Sequence, residues 1–210
     1  MNQKFSYPGS VSSWECMVVC MPGQVDAFPT SKALDETLKN LCNVLKSTGI
    51  KIEPTAQRKK VTLVDENDGT IDRELEISSK SSSFLFIVLP SDRMQLYDRI
   101  KYLCDVKLGL ATICSVGTKL AKNEDQYFRN LALKFNLKLG GHNQEVRTQL
   151  PSIIDTDRTM VVGIDVTHPS PGSTENAPSV AGMVANIDKR MGQWPAVLSV
   201  QSEARQEMGK

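Results

Sequence analysis

The alternation of short apolar runs with helical periodicity is the feature of this sequence that most constrains its fold. The run Phe84–Leu89 contains no polar residue and ends at Pro90, which is typical of a strand buried on both faces. Trp14–Cys20 and Ala111–Val116 are further runs of strand length. Because helical segments separate these runs, the sequence predicts an α/β fold with a doubly wound parallel sheet.

Two of the intervening helices have recognisable ends. The first opens at Thr30 or Ser31, and the second is capped by Ser91 or Asp92 and stops at Gly109. Their predicted inward faces are Leu34, Leu38, Leu41 and Leu45 in the first helix, and Leu96, Ile100, Leu103 and Cys104 in the second.

A third helix is predicted from Asn123, which with Gln126 resembles a capping box. Polar and apolar residues then alternate over 133–139, so we expect the helix to give way to a strand near Asn136. The segment 58–83 is irregular, with a turn or exposed loop at its centre. The residues of the third helix expected to face inward are Phe128, Leu131, Ala132 and Phe135.

The character of the chain changes after Gly140 and Gly141. We expect one domain over 1–143, a polar linker over 144–158 and the beginning of a second domain over 159–210. Three strands in antiparallel succession, followed by a helix from Ser202, would form the opening of a ribonuclease-H-like fold. The three apolar stretches are Met160–Val166, Val180–Ile187 and Ala196–Gln201.

Charge and cysteine content limit the classes of function. Lys and Arg number 25 and Asp and Glu number 24, so a phosphate site must be a local cluster of cations. The five cysteines form no CxxC pair, which argues against zinc and favours a reducing, intracellular compartment. The N-terminus lacks a signal peptide and the longest apolar run is too short for a membrane span, so we expect a soluble, cytoplasmic protein.

Ligands of doubly wound sheets sit beyond the carboxyl ends of the strands, which here directs attention to Pro90–Tyr97 and Cys114–Thr118. Tyr97 and Lys101 are four residues apart and therefore share one helix face. Ammonium groups and backbone amides suit a terminal phosphate, and an aromatic ring can stack on the adjoining base. Spacing alone leaves the alternative open that these are ordinary surface side chains.

Three blocks of sequence resemble the MID domain of eukaryotic Argonautes. They are Tyr97–Lys101, Asp105–Cys114 and Leu133–Gly141, with the patterns Y-x-x-x-K, D-x-x-x-G-x-A-T-x-C and L-K-x-N-x-K-L-G-G. The similarity runs from about Trp14 to the last residue, with an insertion-prone stretch near 53–83. It implies a Rossmann-like MID domain followed by the opening strands of a PIWI domain. A fungal, quelling-type Argonaute is the parent we expect.

The resemblance also implies roles for individual residues in binding a small guide RNA by its 5′-phosphorylated end. Tyr97 would stack on the first base, and Lys101, Lys134 and Lys138 would hold the phosphate, assisted by the backbone amide of Cys114. Many relatives carry Gln at the position of Ile113, so that side-chain contact is lost or replaced here. The nucleotide specificity loop would comprise Ser91, Asp92, Arg93, Met94 and Gln95.

Val161–Pro169 resembles the start of PIWI nuclease domains, and Arg205–Glu207 resembles a later block. In that family Asp165 would be the first member of a catalytic tetrad and a ligand of Mg²⁺, and Glu207 the second member. Two carboxylates cannot complete a two-metal site, so we expect no cleavage by this chain, no cofactor of its own, and Mg²⁺ only in the intact parent. His168 is expected to be a loop hydrogen-bonding residue.

Three hypotheses follow for function. The chain binds a guide RNA end, or it is a metal-dependent ribonuclease, or it is a doubly wound domain that binds a small nucleotide or a protein. No G-x-G-x-x-G or P-loop motif supports the third. The partners implied by the resemblance are the guide RNA, target RNA in the parent and silencing-effector proteins.

Overall fold

A computed structural model describes residues 4–53, 56–92, 94–145, 154, 158–170, 172–173 and 177–201. The chain separates into two compact units, Met1–Asn143 and Gln144–Lys210.

The first unit is built on a four-stranded sheet in which every neighbouring pair is parallel, as the sequence predicts. In spatial order its strands are β4 (Gln57–Thr62), β2 (Trp14–Cys20), β5 (Phe84–Leu89) and β6 (Ala111–Val116). The bounds of β2, β5 and β6 are the predicted ones. A separate two-stranded parallel pair joins β1 (Ser10–Val11) to β3 (Lys51–Ile52).

Helices cover both faces of this sheet, and β5 shows why. Phe84, Phe86 and Val88 belong to an apolar cluster with α1 and α5, whereas the alternate residues Leu85 and Ile87 pack with α2 and α3. Burial on both faces explains the continuous apolar run. The helices are α1 (Ser31–Ser47), α2 (Thr70–Ser81), α3 (Met94–Lys101), α4 (Gly117–Leu120) and α5 (Asp125–Lys138), with a π-helical segment (Tyr102–Leu108) continuing α3.

Several predicted helix ends are confirmed. The hydroxyl of Thr30 accepts a hydrogen bond from the amide of Ala33 at 3.3 Å and so caps α1. Gly109, with φ of 62°, ends the π-helical segment in a left-handed conformation that glycine adopts easily. The start of α3 is later than predicted, because the helix begins at Met94 rather than directly after Ser91 or Asp92.

The predicted change from helix to strand near Asn136 is wrong. Helix α5 continues to Lys138, because Phe135 and Asn136 are buried while Leu133 and Leu137 are 43% and 41% exposed. The alternation over 133–139 therefore does not mark a strand face.

The predicted capping box at Asn123 is also wrong. The backbone of Asn123 is left-handed, with φ of 54°, and its side-chain amide donates to Thr37 and Ala121. Gln126 instead donates to Asn130 along the exposed side of α5. Asn123 is thus a turn residue before the helix.

The irregular segment contains β4 and α2, which the sequence did not indicate as elements. Strand β4 lies at the sheet edge and carries charged side chains, so it lacks an apolar run. The carboxylate of Asp68 accepts hydrogen bonds from the amides of Val64 and Thr70, at 2.8 and 2.9 Å, and these bonds lower its pKa to about 2. This closed turn leads into α2.

The second unit contains three antiparallel strands in the order β7–β8–β9, as predicted. Asp188 closes the turn between the last two by accepting hydrogen bonds from the amides of Arg190, Gly192 and Gln193. The helix predicted from Ser202 lies outside the described residues. The strands are β7 (Val162–Thr167), β8 (Val180–Ala185) and β9 (Ala196–Val200).

Within the part of the chain that the structure describes, no helix has the length and apolar character needed to cross a bilayer.

Candidate functional site

Lys101 is held in place at the end of α3 by three oxygen partners. Its Nζ lies 2.8 Å from a carboxylate oxygen of Asp105, 2.9 Å from the hydroxyl of Thr112 and 3.4 Å from the Thr112 backbone oxygen. The side chain is only 20% exposed. The ammonium group is therefore fixed against the edge strand β6 rather than extended into solvent.

A second lysine reaches the same carboxylate from a different stretch of the chain. The Nζ of Lys138, at the end of α5, lies 3.6 Å from Asp105. Helices α3 and α5 cover opposite faces of the sheet, and β6 is its edge strand. Lysines from the two faces can converge on one carboxylate because no further strand lies beyond β6 in this sheet.

Lys134 and Cys114 adjoin this pair. Burial raises the pKa of the Cys114 thiol to about 12, and the positive charges of Lys101 and Lys134 partly oppose that rise. Both lysines are thus close enough to act on the thiol electrostatically. The thiol is neutral at physiological pH, so it adds no negative charge to a cluster of cations.

The alternation of β6 decides which side chains face the lysines. Thr112 contacts Lys101, and Cys114 packs with the apolar cluster on the α3 side. Ile113 is buried in the cluster on the opposite side, where Ser115 shares a 2.9 Å hydrogen bond with Tyr127. Whether another group replaces the Gln of the relatives stays a prediction.

Tyr97 lies one helical turn before Lys101 and is 40% exposed. An exposed ring beside a lysine cluster offers a stacking surface. Its contact with a base stays a prediction.

The lysine pair does not lie where the strand-end rule placed it. Thr112 is the second residue of β6, so Lys101 stands beside the amino-terminal half of the strand. Helix α3 follows the carboxyl end of β5 and runs back along the sheet, which carries Lys101 away from that end. The open side of an edge strand, rather than the strand ends alone, determines the location.

The predicted specificity loop is partly helical. Met94 and Gln95 form the first turn of α3, Ser91 is half-buried, and Asp92 is exposed. Arg93 lies outside the described residues. A loop conformation for Met94 and Gln95 is therefore wrong, because α3 begins at Met94.

In the second unit, Asp165 is exposed on β7, opposite Gly182 of β8. Glu207 lies outside the described residues. Among the residues that are described, no three His, Cys, Asp or Glu side chains form a group able to hold a metal ion, so they do not fit a two-metal centre. His168 Nδ1 is 2.9 Å from the Ser179 hydroxyl, consistent with its expected hydrogen-bonding role.

Sequence reasoning assigned no role to Asp105, Thr112 or Asn136. A signal for Asp105 was present, because an acidic residue four positions after Lys101 forms a helical ion pair. No local pattern indicates that Lys138 joins the same carboxylate, since that contact depends on the packing of α5.

Comparison with known proteins places this geometry in a family. The Piwi domain family matches residues 84–209. The chain belongs to the Argonaute family. It is 29% identical over 202 residues to protein argonaute 5 of Arabidopsis thaliana, covering 94% of this chain and 19% of that protein. This Argonaute chain thus spans about a fifth of the length of that relative.

Solved structures agree with the family assignment. The MID-PIWI domains of N. crassa QDE-2 superpose with a TM-score of 0.75 at 28% identity, covering 96% of this chain and 55% of that one. Kluyveromyces polysporus Argonaute with a guide RNA has the same fold, with a TM-score of 0.72 at 23% identity over 98% of this chain and 25% of that one. The predicted Argonaute resemblance and α/β fold class are confirmed. The fungal, quelling-type parent stays a prediction.

Proposed function

We propose that this Argonaute chain binds the 5′-phosphorylated first nucleotide of a small guide RNA. The observation that carries the proposal is the convergence of Lys101 and Lys138, from separate stretches of chain, on the single carboxylate of Asp105. Two ammonium groups that already share one anion are placed to share the oxygens of a phosphate.

Each part of the site has a distinct task in this proposal. Lys101, Lys134 and Lys138 neutralise the phosphate, whose terminal form carries close to two negative charges at pH 7. The Cys114 backbone amide donates a hydrogen bond, and Tyr97 stacks on the first base. Because Lys101 is 20% exposed and Lys138 43% exposed, Lys101 gives the stronger charge contact.

The charge balance of the chain makes this site a local one. With a formal net charge of +1, the chain has little overall attraction for nucleic acid. Binding should therefore depend on the terminal phosphate rather than on the length of an RNA backbone. The K. polysporus Argonaute structure, which has this fold and contains a guide RNA, supports RNA as the ligand class.

The test is a titration of the 210-residue chain with adenosine 5′-monophosphate and with adenosine, at a stated salt concentration. We expect measurable binding of the monophosphate and binding at least tenfold weaker for adenosine. Equal affinity for the two compounds would refute the proposal. Repeating the titration with the other three nucleoside monophosphates would determine the preferred first base.

Cleavage of a target RNA stays a prediction for the longer protein. Asp165 is the only predicted tetrad member within the described residues, and it has no metal-binding group around it there. Magnesium-dependent cleavage of a guide-paired RNA by this chain, abolished by Asp165→Ala, would contradict that view. Target RNA and silencing-effector proteins remain proposed partners of the longer protein.

A further inference from the structure

We propose that Asp105 is a specificity-determining residue that tunes the lysine cluster to a terminal monophosphate and against a triphosphate. The proposal rests on the phosphate-binding function proposed above. Its basis is that the Asp105 carboxylate lies within ion-pair distance of both Lys101 and Lys138, at 2.8 and 3.6 Å.

The first step concerns charge. Three lysines approach this place on the edge of the sheet, and Asp105 contributes one negative charge among them. The cluster therefore has a net charge of about two, close to the charge of a phosphate monoester at pH 7. A triphosphate end adds negative charge that the lysines cannot match while Asp105 is ionised.

The second step concerns whether Asp105 is needed to hold the lysines. Lys101 has two other partners on Thr112, the hydroxyl at 2.9 Å and the backbone oxygen at 3.4 Å. Its Nζ would remain anchored to the edge strand without the carboxylate. Lys138 makes a longer contact with Asp105 and is 43% exposed, so it depends little on that contact for its position.

The third step concerns the direction of the effect. Asp105 is 37% exposed, so its interaction with a bound anion is screened but not abolished. Repulsion of a ligand by one fixed carboxylate grows with the charge of the ligand. Removing that carboxylate should therefore favour a triphosphate more than a monophosphate, and should increase the affinity for both.

The experiment uses the whole chain with Asp105→Asn and measures the Kd of adenosine 5′-monophosphate and adenosine 5′-triphosphate. Divalent cations are omitted because they would neutralise part of the triphosphate. We expect affinity for the monophosphate to rise about threefold and affinity for the triphosphate about tenfold, which corresponds to about one charge interaction at a partly exposed site. Asp105→Glu retains the charge and should keep the ratio of the two affinities near that of the wild type.

The matched control is Asp125→Asn. Asp125 also forms an i,i+4 ion pair, with Arg129 at 2.6 Å, and lies at the opposite end of α5 from Lys138. It makes the same change in net charge and should leave both affinities unchanged. Thermal unfolding of each variant would verify that it is folded.

The outcomes separate the two proposals. If Asp105→Asn weakens binding of both nucleotides, Asp105 positions the lysines and the specificity role is refuted. An equal gain for both nucleotides also refutes it. If the wild-type chain binds adenosine as well as its monophosphate, the phosphate-binding function itself fails, and this inference fails with it.

Discussion

The side chain of Asn136 joins the end of α5 to the beginning of the chain. Its Oδ1 accepts a hydrogen bond from the Gly9 amide at 2.7 Å, across 127 positions of sequence. Its amide nitrogen donates to the Tyr7 backbone oxygen at 3.2 Å and to the side-chain oxygen of Asn143 at 3.0 Å. Asn136 is fully buried between Lys134 and Lys138 in sequence, so these bonds fix the part of α5 that carries both lysines.

Replacing Asn136 with Ala should lower the free energy of unfolding by about 1–3 kcal/mol, because the Gly9 amide is left buried without its acceptor. Chemical denaturation would measure this loss. The control is Asn130→Ala, at an exposed position of the same helix, which should cost less than about 0.5 kcal/mol. Equal losses for the two variants would show that Asn136 does not anchor the helix.

Gly141→Ala should be destabilising for a related reason. A Cβ at this position would overlap Oδ1 of Asn136 and lie 2.5 Å from the Tyr7 backbone oxygen. Gly69→Ala is the matched control, because a Cβ there meets nothing within 4 Å and φ is −65°. We expect a lower melting temperature for the first variant only. A wild-type melting temperature for Gly141→Ala would show that the junction can adjust.

Lys101→Met should weaken binding of adenosine 5′-monophosphate at least tenfold, because it removes the most buried ammonium group of the site. Lys107→Met is the control. It removes the same charge from the π-helical segment, where Nζ lies over the Tyr102 ring at 5.5 Å. Calorimetric titration at two salt concentrations would show a smaller salt dependence for Lys101→Met alone. Similar losses for both variants would indicate a general charge effect.

The Cys114 thiol should react slowly with iodoacetamide in the folded chain. Its pKa is raised to about 12 by burial, so the thiol stays protonated below that pH and the reactive thiolate is scarce at pH 7–8.5. Mass spectrometry of peptides labelled in buffer and in urea would measure the difference. Labelling of Cys114 in buffer at the rate found in urea would contradict the assigned burial.

Local patterns in the sequence determined the elements that are buried most uniformly. The apolar runs of β2, β5 and β6 predicted strands with the observed bounds, because each is packed on both faces. Thr30 and Gly109 marked helix ends because their effects act within a few residues. The lysines of the candidate site were identified through motif resemblance, which supplied the residues but not their arrangement.

Only the tertiary structure decided how those residues meet. The sequence missed β4 because an edge strand with charged side chains has no apolar run, and it ended α5 too early because the buried Asn136 looks polar in isolation. The contact of Lys138 with Asp105 and the bond of Gly9 with Asn136 join distant segments. Periodicity records which face of an element is buried, whereas the partner across a sheet edge is determined by how whole elements pack.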